Sequence, residues 1–421
     1  MVKREILSEI LPWLSEKKVI LIKGARQVGK TTLLHQIREI LEKEEKQVVY
    51  FSIDQELTNP VFSNPKNLIK FLKNEYDIEN KNTFLLLDEF QYIKDSGLFL
   101  KVLFDISKEY LNIIISGSSA LKLTEHKEFF TGRKVEFYLP TFSFLEYLWA
   151  RTSFKYNFLW KLGDKFEMLK DFYQIYKNDL QSNFVDYINW GGYPEVVLHS
   201  QTEKRNIILK EIINTYIKKD VIDFLKIENI SGFNNLIAIL SSQIGNLVNK
   251  HELCNTLRLH SLTLGKYLNI LEGTFIFSFI SPFYRNIRKE LSRMPKVYVN
   301  DFGIKKYFIG TQYNSYTLLD GNSVENYVYN SLKKKFDKES IYFYRTVSKS
   351  EVDFVIKEKQ DFILMEIKFR NKIKLPYPVK RFNEQYGNVA YIVIITKDLL
   401  KKEGNVIYLP VVLLPFVSFS I

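Results

Sequence analysis

The sequence predicts an α/β protein whose core is a parallel sheet covered by helices, followed by helical and then mixed segments. Three observations carry that reading. Between residues 17 and 140, short apolar runs alternate with helical patterns. The runs are apolar at successive positions, as strands buried on both faces must be. A glycine-rich loop joins the first run to the helix after it, the order of a strand–loop–helix unit in a layered α/β fold. With 421 residues, 46% of them hydrophobic, the chain can fill two to four cores at about 150 residues each.

Taken in order, "KVILIKG", "QVVYFSID", "FLLLDE", "LNIIISGSS" and "KVEFYLP" are the five strands expected within a core spanning 1–140. Residues 141–230 read as a helical, lid-like region interrupted at "WGGYPEVV". Residues 231–306 read as helices near 233–244, 250–257 and 261–272 followed by the strand-like "TFIFSFI". That order is a winged helix-turn-helix with the third helix as the recognition helix. After Pro282 it carries Arg285, Arg288, Lys289, Arg293 and Lys296 against Glu290 alone. Such a basic excess suits a phosphate backbone, or else a solvated surface on a module that packs against protein. Residues 307–421 return to helix and strand, with strands near 341–346, 351–356, 362–369 and 389–396.

Composition narrows the function classes. The single cysteine, Cys254, excludes a disulfide framework and fits a reducing compartment. With His251 and His260 it lacks a fourth ligand for zinc. The N-terminus does not resemble a signal peptide. The longest apolar run, 406–421, is too short for a membrane span and is broken by Pro410 and Pro415. The expectation is a cytoplasmic protein without a membrane partner. A net charge of +12 favours a polyanionic partner such as nucleic acid, although lysine enrichment throughout the chain gives the same sign. DNA is expected ahead of RNA, a preference that charge does not supply.

The motif "GARQVGKTT" comprises Gly24, Ala25, Arg26, Gln27, Val28, Gly29, Lys30, Thr31 and Thr32. It satisfies GxxxxGK[ST] between a strand and a helix. Glycines let backbone N–H groups curl around phosphates at the positive end of the helix, Lys30 suits the β- and γ-phosphates of ATP, and the Thr31 hydroxyl suits Mg²⁺. "FLLLDEFQ" ends a strand in Asp88 and Glu89, the first placed to hold Mg²⁺ through water and the second to polarise an attacking water; loop capping is the alternative. "NIIISGSS" brings Ser116 to the same edge as a γ-phosphate sensor, while Ser118 or Ser119 could instead cap the next helix.

Together with "ISGSSA", "FTGRKVEFYLPTFSFLEYL" and "GGYPEVV", these motifs resemble the prokaryotic AAA+ ATPases that carry a C-terminal domain of formerly unknown function. The resemblance covers essentially the whole chain. It implies a Walker A at Gly24 to Thr31, a Walker B at Asp88 and Glu89, a sensor at Ser116, a winged helix and a restriction-endonuclease-like domain at 307–421. Within it, Arg133 of "TGRK" is a candidate finger acting on ATP in a neighbouring subunit of a homo-oligomer, or else a surface arginine in a loop.

The last motif is "SEVDFVIKEKQDFILMEIKFR". A period of two puts Glu366 and Lys368 on one face of their strand, and Asp353 with Glu351 on one face of theirs. Paired through "KEKQD", Asp353 and Glu366 converge on one divalent cation beside Lys368, the D…ExK pattern of restriction-type nucleases, with Glu325 as the acidic residue of the preceding helix. The competing reading is a solvated hairpin face, and with it a nucleotide switch whose C-terminal domain binds a partner and cuts nothing.

Overall fold

The computed structural model describes residues 2–118, 132–153, 155–161, 164–217, 227–284, 294–346, 350–370, 373 and 376–419. It divides into two compact units. The first comprises Met1–Phe142, Tyr193–Lys226 and Gly273–Phe275; the second comprises Ser143–Gly192, Ile227–Glu272 and Ile276–Ile421.

In the first unit all five expected strands form: β1 (Val19–Lys23), β2 (Gln47–Ser52), β3 (Thr83–Asp88), β4 (Leu111–Gly117) and β5 (Lys134–Tyr138). They lie parallel in the order β2-β3-β4-β1-β5. The uniformly apolar runs take the middle of the sheet: β1 and β3 are buried at every position, whereas the edge strands β2 and β5 are mostly half-buried. Crossover helices Lys30–Lys43, Pro65–Tyr76 and Ser96–Ser107 connect the strands. The second begins where the Asn64 side chain accepts from the Lys66 N–H ahead of Pro65, which satisfies one orphan donor of the first turn. Leu21, Leu85, Leu87, Leu103 and Ile115 close the core on one face. Placing β4 between β1 and β3 brings the carboxyl ends of these three strands side by side.

The helical stretch expected as one region at 141–230 is shared between the units. Ser143 opens the helix Phe144–Thr152 with a capping box to Glu146, and the long helix Phe166–Trp190 follows in the second unit, whereas Pro194–Leu198 and Thr202–Thr215 belong to the first. The interruption at "WGG" has a local cause. Gly191 has φ 76°, and a Cβ there would run into the Asp301 carboxylate; Asp301 accepts from the N–H groups of Gly192 at 2.8 Å and Gly303 at 2.7 Å.

Further along, the helices Ile230–Ser242, Lys250–Leu257 and Ser261–Gly273 form close to the predicted bounds, and Phe302–Ile309, Gly321–Leu332 and Tyr377–Tyr386 follow in the second unit. After the short strand β6 (Trp160–Lys161), which precedes them in the chain, come β7 (Phe277–Ile280) and β8 (Lys296–Val299), paired antiparallel. A six-stranded mixed sheet then combines β9 (Ile341–Arg345), β10 (Glu351–Glu358), β11 (Asp361–Lys368), β12 (Val389–Thr396), β13 (Lys401–Glu403) and β14 (Val406–Pro410) in the order β13-β14-β12-β11-β10-β9. The final β15 (Val417–Ser418) pairs with β6. The apolar run from 406 thus supplies a buried strand and a 3₁₀ segment, Val411–Phe416, that accommodates Pro415. On one face of the large sheet Leu364, Ile392 and Ile394 pack with Val379 and Phe382 of the helix Tyr377–Tyr386. On the other, Phe354 meets Tyr298 and Tyr329.

Two backbone donors converge on Asp301 in a buried turn, so removing the acceptor leaves both without it. Asp301→Ala is expected to cost about 1–3 kcal/mol per orphaned donor, read as a lower urea midpoint, whereas Asp301→Asn retains one acceptor and loses less.

Candidate functional site

At the carboxyl edge of the first sheet, the phosphate-loop residues sit where the motif requires. Gly29 has φ 94°, a left-handed backbone that favours glycine, and a Cβ on Gly24 would press into the Leu139 carbonyl oxygen. Lys30 is buried, its ammonium donating to the carbonyls of Gly24 at 3.2 Å and Ala25 at 2.9 Å. Asp88 is a hub. It accepts from the Thr31 hydroxyl at 2.5 Å, from Tyr50 at 3.2 Å, from Ser116 and from the Glu89 N–H at 3.0 Å. The Tyr50 phenol, pushed up to about 12 by burial and by the Asp88 carboxylate, stays a donor. Hydroxyl and carboxylate oxygens are the hard donor set that Mg²⁺ takes, so Thr31 and Asp88 fit that ion. Glu89 has φ 53°, an uncommon conformation for glutamate.

Sequence reasoning missed three participants. Arg4 is buried, donates to the Val28 carbonyl inside the loop at 2.6 Å and to Pro140 at 2.7 Å, and lies over the Phe142 ring; it ties the N-terminal segment to the phosphate loop. Gln91 donates one amide group to the Glu89 carboxylate and to the Ser118 hydroxyl at 3.0 Å. Ser118 thus bonds across the strand ends, and Ser119 lies outside the described residues. Tyr50 comes from β2, and nothing in "QVVYFSID" marks it. Arg133 precedes β5, and its carbonyl accepts from Val19 at the start of β1. It is therefore about 16 Å of strand away from its own phosphate loop at the other end of β1 and cannot reach that nucleotide; its guanidinium faces Asp105 at 3.4 Å.

In the second unit, β10 and β11 pair as an antiparallel hairpin with Phe354 opposite Met365 and Glu358 opposite Asp361, which sets Asp353 beside Glu366. The Ile367 N–H donates to Asp353 at 2.7 Å, the Asp353 N–H to Glu366 at 3.3 Å, and Lys368 to Glu366 at 2.5 Å. Glu325 is held by the Tyr298 hydroxyl at 2.7 Å and the Lys296 ammonium at 2.9 Å. Glu366 is only 3% exposed, so this cluster is not the solvated face of a hairpin. Lys296, expected on an exposed basic surface, is instead buried in β8, drawn inward by Glu325, Glu351 and Asp353. Arg285, Arg288, Lys289, Glu290 and Arg293 lie outside the described residues. Burial and the Asp353 charge raise Glu366 to about 8 and Glu325 to about 7, and burial raises Asp353. Among the described residues, no group of three or more acidic, histidine or cysteine side chains stands in a metal-holding arrangement. Asp353 and Glu366 offer the oxygen donors that Mg²⁺ prefers, and Glu325 is turned to Lys296 and Tyr298.

Residues 16–148 match the family described as an AAA domain; residues 181–315 and 320–414 match two domains of unknown function (DUF8612 and DUF4143). An uncharacterized protein of Methanocaldococcus jannaschii is 28% identical over 417 residues, covering 94% of this chain and 84% of the relative. An uncharacterized protein of Haemophilus influenzae is 22% identical over 387 residues, 88% of this chain and 87% of that one. The replication initiator DnaA bound to AMPPCP and single-stranded DNA overlaps 65% of this chain and 90% of its own at 16% identity and a TM-score of 0.31, a likeness too loose to carry weight. The parallel sheet, the loop geometry and the family match agree that the first unit holds an AAA-type ATP-binding domain. Among the described residues no helix is long and apolar enough to cross a membrane.

Because Glu366 and Glu325 keep their protons in the folded state to higher pH than in the unfolded chain, the folded form binds more protons above about pH 5, and stability falls as pH rises toward 8. Glu366→Gln removes one such group. Urea unfolding from pH 5 to pH 8 should show a shallower decline, by up to about 1.4 kcal/mol per pH unit; an unchanged slope would mean that Glu366 ionises normally.

Proposed function

We propose that this chain is a Mg²⁺-dependent ATPase that couples its nucleotide state to nucleic-acid binding and to a phosphodiester-directed metal centre in its second unit. The observation that carries the ATPase part is the meeting of Thr31, Asp88 and Ser116 at one sheet edge with Glu89 beside them. Lys30 and the loop N–H groups bind the phosphates. Thr31 and Asp88 hold Mg²⁺, which when bound neutralises phosphate charge. Glu89 orients and deprotonates the attacking water once Gln91 releases it, and Ser116 holds Asp88 in register. Arg133 acts, in this reading, on ATP of an adjacent protomer of a homo-oligomer. A cytoplasmic location fits such a protein.

Glu89→Gln is expected to retain ATP binding and to slow turnover by about 10²-fold or more, the scale of lost general-base catalysis. Lys30→Ala should weaken ATP binding itself. Phosphate release and nucleotide titration separate the two, and undiminished turnover in Glu89→Gln would remove that residue from the mechanism.

For the second unit, the three helices followed by the β7–β8 pair support a winged helix reading DNA in preference to RNA. On the helix Ser261–Gly273, Ser261, Leu262, Lys266 and Asn269 are exposed while Leu264, Tyr267 and Leu268 are buried, and a helix is an element that the major groove admits. Asp353 and Glu366 hold the metal and Lys368 stabilises the charge that develops on the phosphate. The rival is a switch whose C-terminal domain binds a partner without cutting, and the engagement of Glu325 with Lys296 favours it. Salt-dependent binding to a labelled duplex, then Mg²⁺-dependent cleavage, decides between them. Cutting by the native chain that disappears in Lys368→Ala, with ATPase turnover intact, supports the nuclease; binding without cutting supports the switch.

A further inference from the structure

Lys296 is buried within a paired strand, opposite Ile280, where the period of two would as readily have aimed it at solvent. Its ammonium instead lies 2.9 Å from Glu325, pairs with Glu351, and stands 3.9 Å from Asp353. Gly245 has φ 78° and a Cβ there would lie 3.4 Å from the Glu325 carboxylate, so the turn after the helix Ile230–Ser242 passes in contact with that group. The Gly245 N–H donates to the Val297 carbonyl at 2.8 Å, which fixes the turn to β8. Tyr298, two residues on, donates to the same Glu325 oxygen as Lys296. Lys368 answers the remaining carboxylate, Glu366. Each acid of the centre therefore already has a cationic partner from the chain itself, and a divalent ion bound to Asp353 and Glu366 would have to sit beside the Lys296 ammonium.

We propose that Lys296 is an internal counter-cation that keeps the Asp353–Glu366 centre closed to divalent metal, so that the centre takes Mg²⁺ or Mn²⁺ only when that ammonium is withdrawn. The inference rests on the reading of Asp353 and Glu366 as metal ligands and adds the regulation of that site. It also accounts for the absence of a third acidic ligand: Glu325 is occupied by Lys296 and becomes free to turn toward the metal when Lys296 leaves.

The test is Mn²⁺ binding to the full chain, nucleotide-free and carrying Asp88→Asn in every arm so that the phosphate loop contributes no metal site, read by calorimetry and by the electron paramagnetic resonance of free Mn²⁺. Lys296→Gln should bind one Mn²⁺ at least tenfold more tightly than the parent. The gain should vanish when Asp353→Asn is added, and Lys296→Arg should bind as weakly as the parent. Thermal melting should show Mn²⁺ raising the midpoint of Lys296→Gln and not that of the parent. If the single variant does not fold without metal, Lys296→Gln combined with Glu351→Gln restores the charge balance by removing a carboxylate outside the metal pair, and the same gain is expected. Equal, tight binding in the parent and in Lys296→Gln that is lost with Asp353→Asn would overturn the closure while leaving the metal centre standing; tight binding that survives Asp353→Asn would overturn both. No Mn²⁺ binding in any arm would overturn both.

Discussion

Asp88 stands at the end of a strand that is buried throughout, with almost none of its own surface exposed, and a carboxylate in that position has to be met by donors. Four converge on it: the hydroxyls of Thr31, Tyr50 and Ser116 and the N–H of Glu89. They come from the helix after β1, from β2, from β4 and from the residue after β3, so one group holds the phosphate loop, the end of β4 and the candidate general base in a common frame. Strand order makes this possible. With β4 inserted between β1 and β3, Ser116 lies between the loop and Asp88, and a parallel sheet presents all these ends at one edge. Glu89, like Gln27 of the loop, has an unfavourable backbone, tolerated because the surrounding bonds over-determine it.

The second unit meets the same constraint with the signs reversed in number. Several acids crowd into a buried corner; Lys296 and Lys368 answer them, and burial holds the protons of Glu366 and Glu325 to higher pH. Burial of like charges is costly unless each is paired, which is why Lys296 is drawn out of the surface role its neighbours in sequence suggest; where the chain passes Glu325, Gly245 takes a left-handed backbone that favours glycine. The sheet itself is sustained by ordinary packing: Val379 and Phe382 on one face, Tyr298 and Tyr329 against Phe354 on the other. The charged centre occupies the ends of β10 and β11 near that packing and does not substitute for it.

Much of this was legible in the chain. The five strands of the first sheet follow from continuous apolar runs, the three helices from 230 to 273 from their spacing, and the pairing of β10 with β11 from a short polar turn between two alternating strands. Each is a local pattern with one dominant period. What escaped was carried by residues whose partners lie far along the chain. Arg4 meets Val28 and Pro140, Tyr50 meets Asp88, and Asp301 meets Gly192. A lone arginine, tyrosine or aspartate has no periodicity to announce it. Gln91 is two residues from Glu89, close enough to suspect, yet its other partner, Ser118, is reached only across the strand ends.

The sequence by itself determined the five strands of the first sheet, the three helices from 230 to 273, the strands β9 to β12 and the identity of the phosphate-loop chemistry, because strand periodicity and the GxxxxGKT spacing are consequences of backbone geometry over a few neighbouring residues. The short strands β6, β13, β14 and β15 carry no such period. Only the tertiary structure decided which charges answer one another. Lys296 reads as one basic residue among several in "YRNIRKELSRMPK" until the chain folds and the nearest stable place for its ammonium is a pocket of carboxylates contributed by β10 and the helix Gly321–Leu332. Electrostatic partners are set by distance in space, with no preference for proximity along the chain, so the same lysine is a surface cation in the sequence and an interior counter-ion in the folded protein.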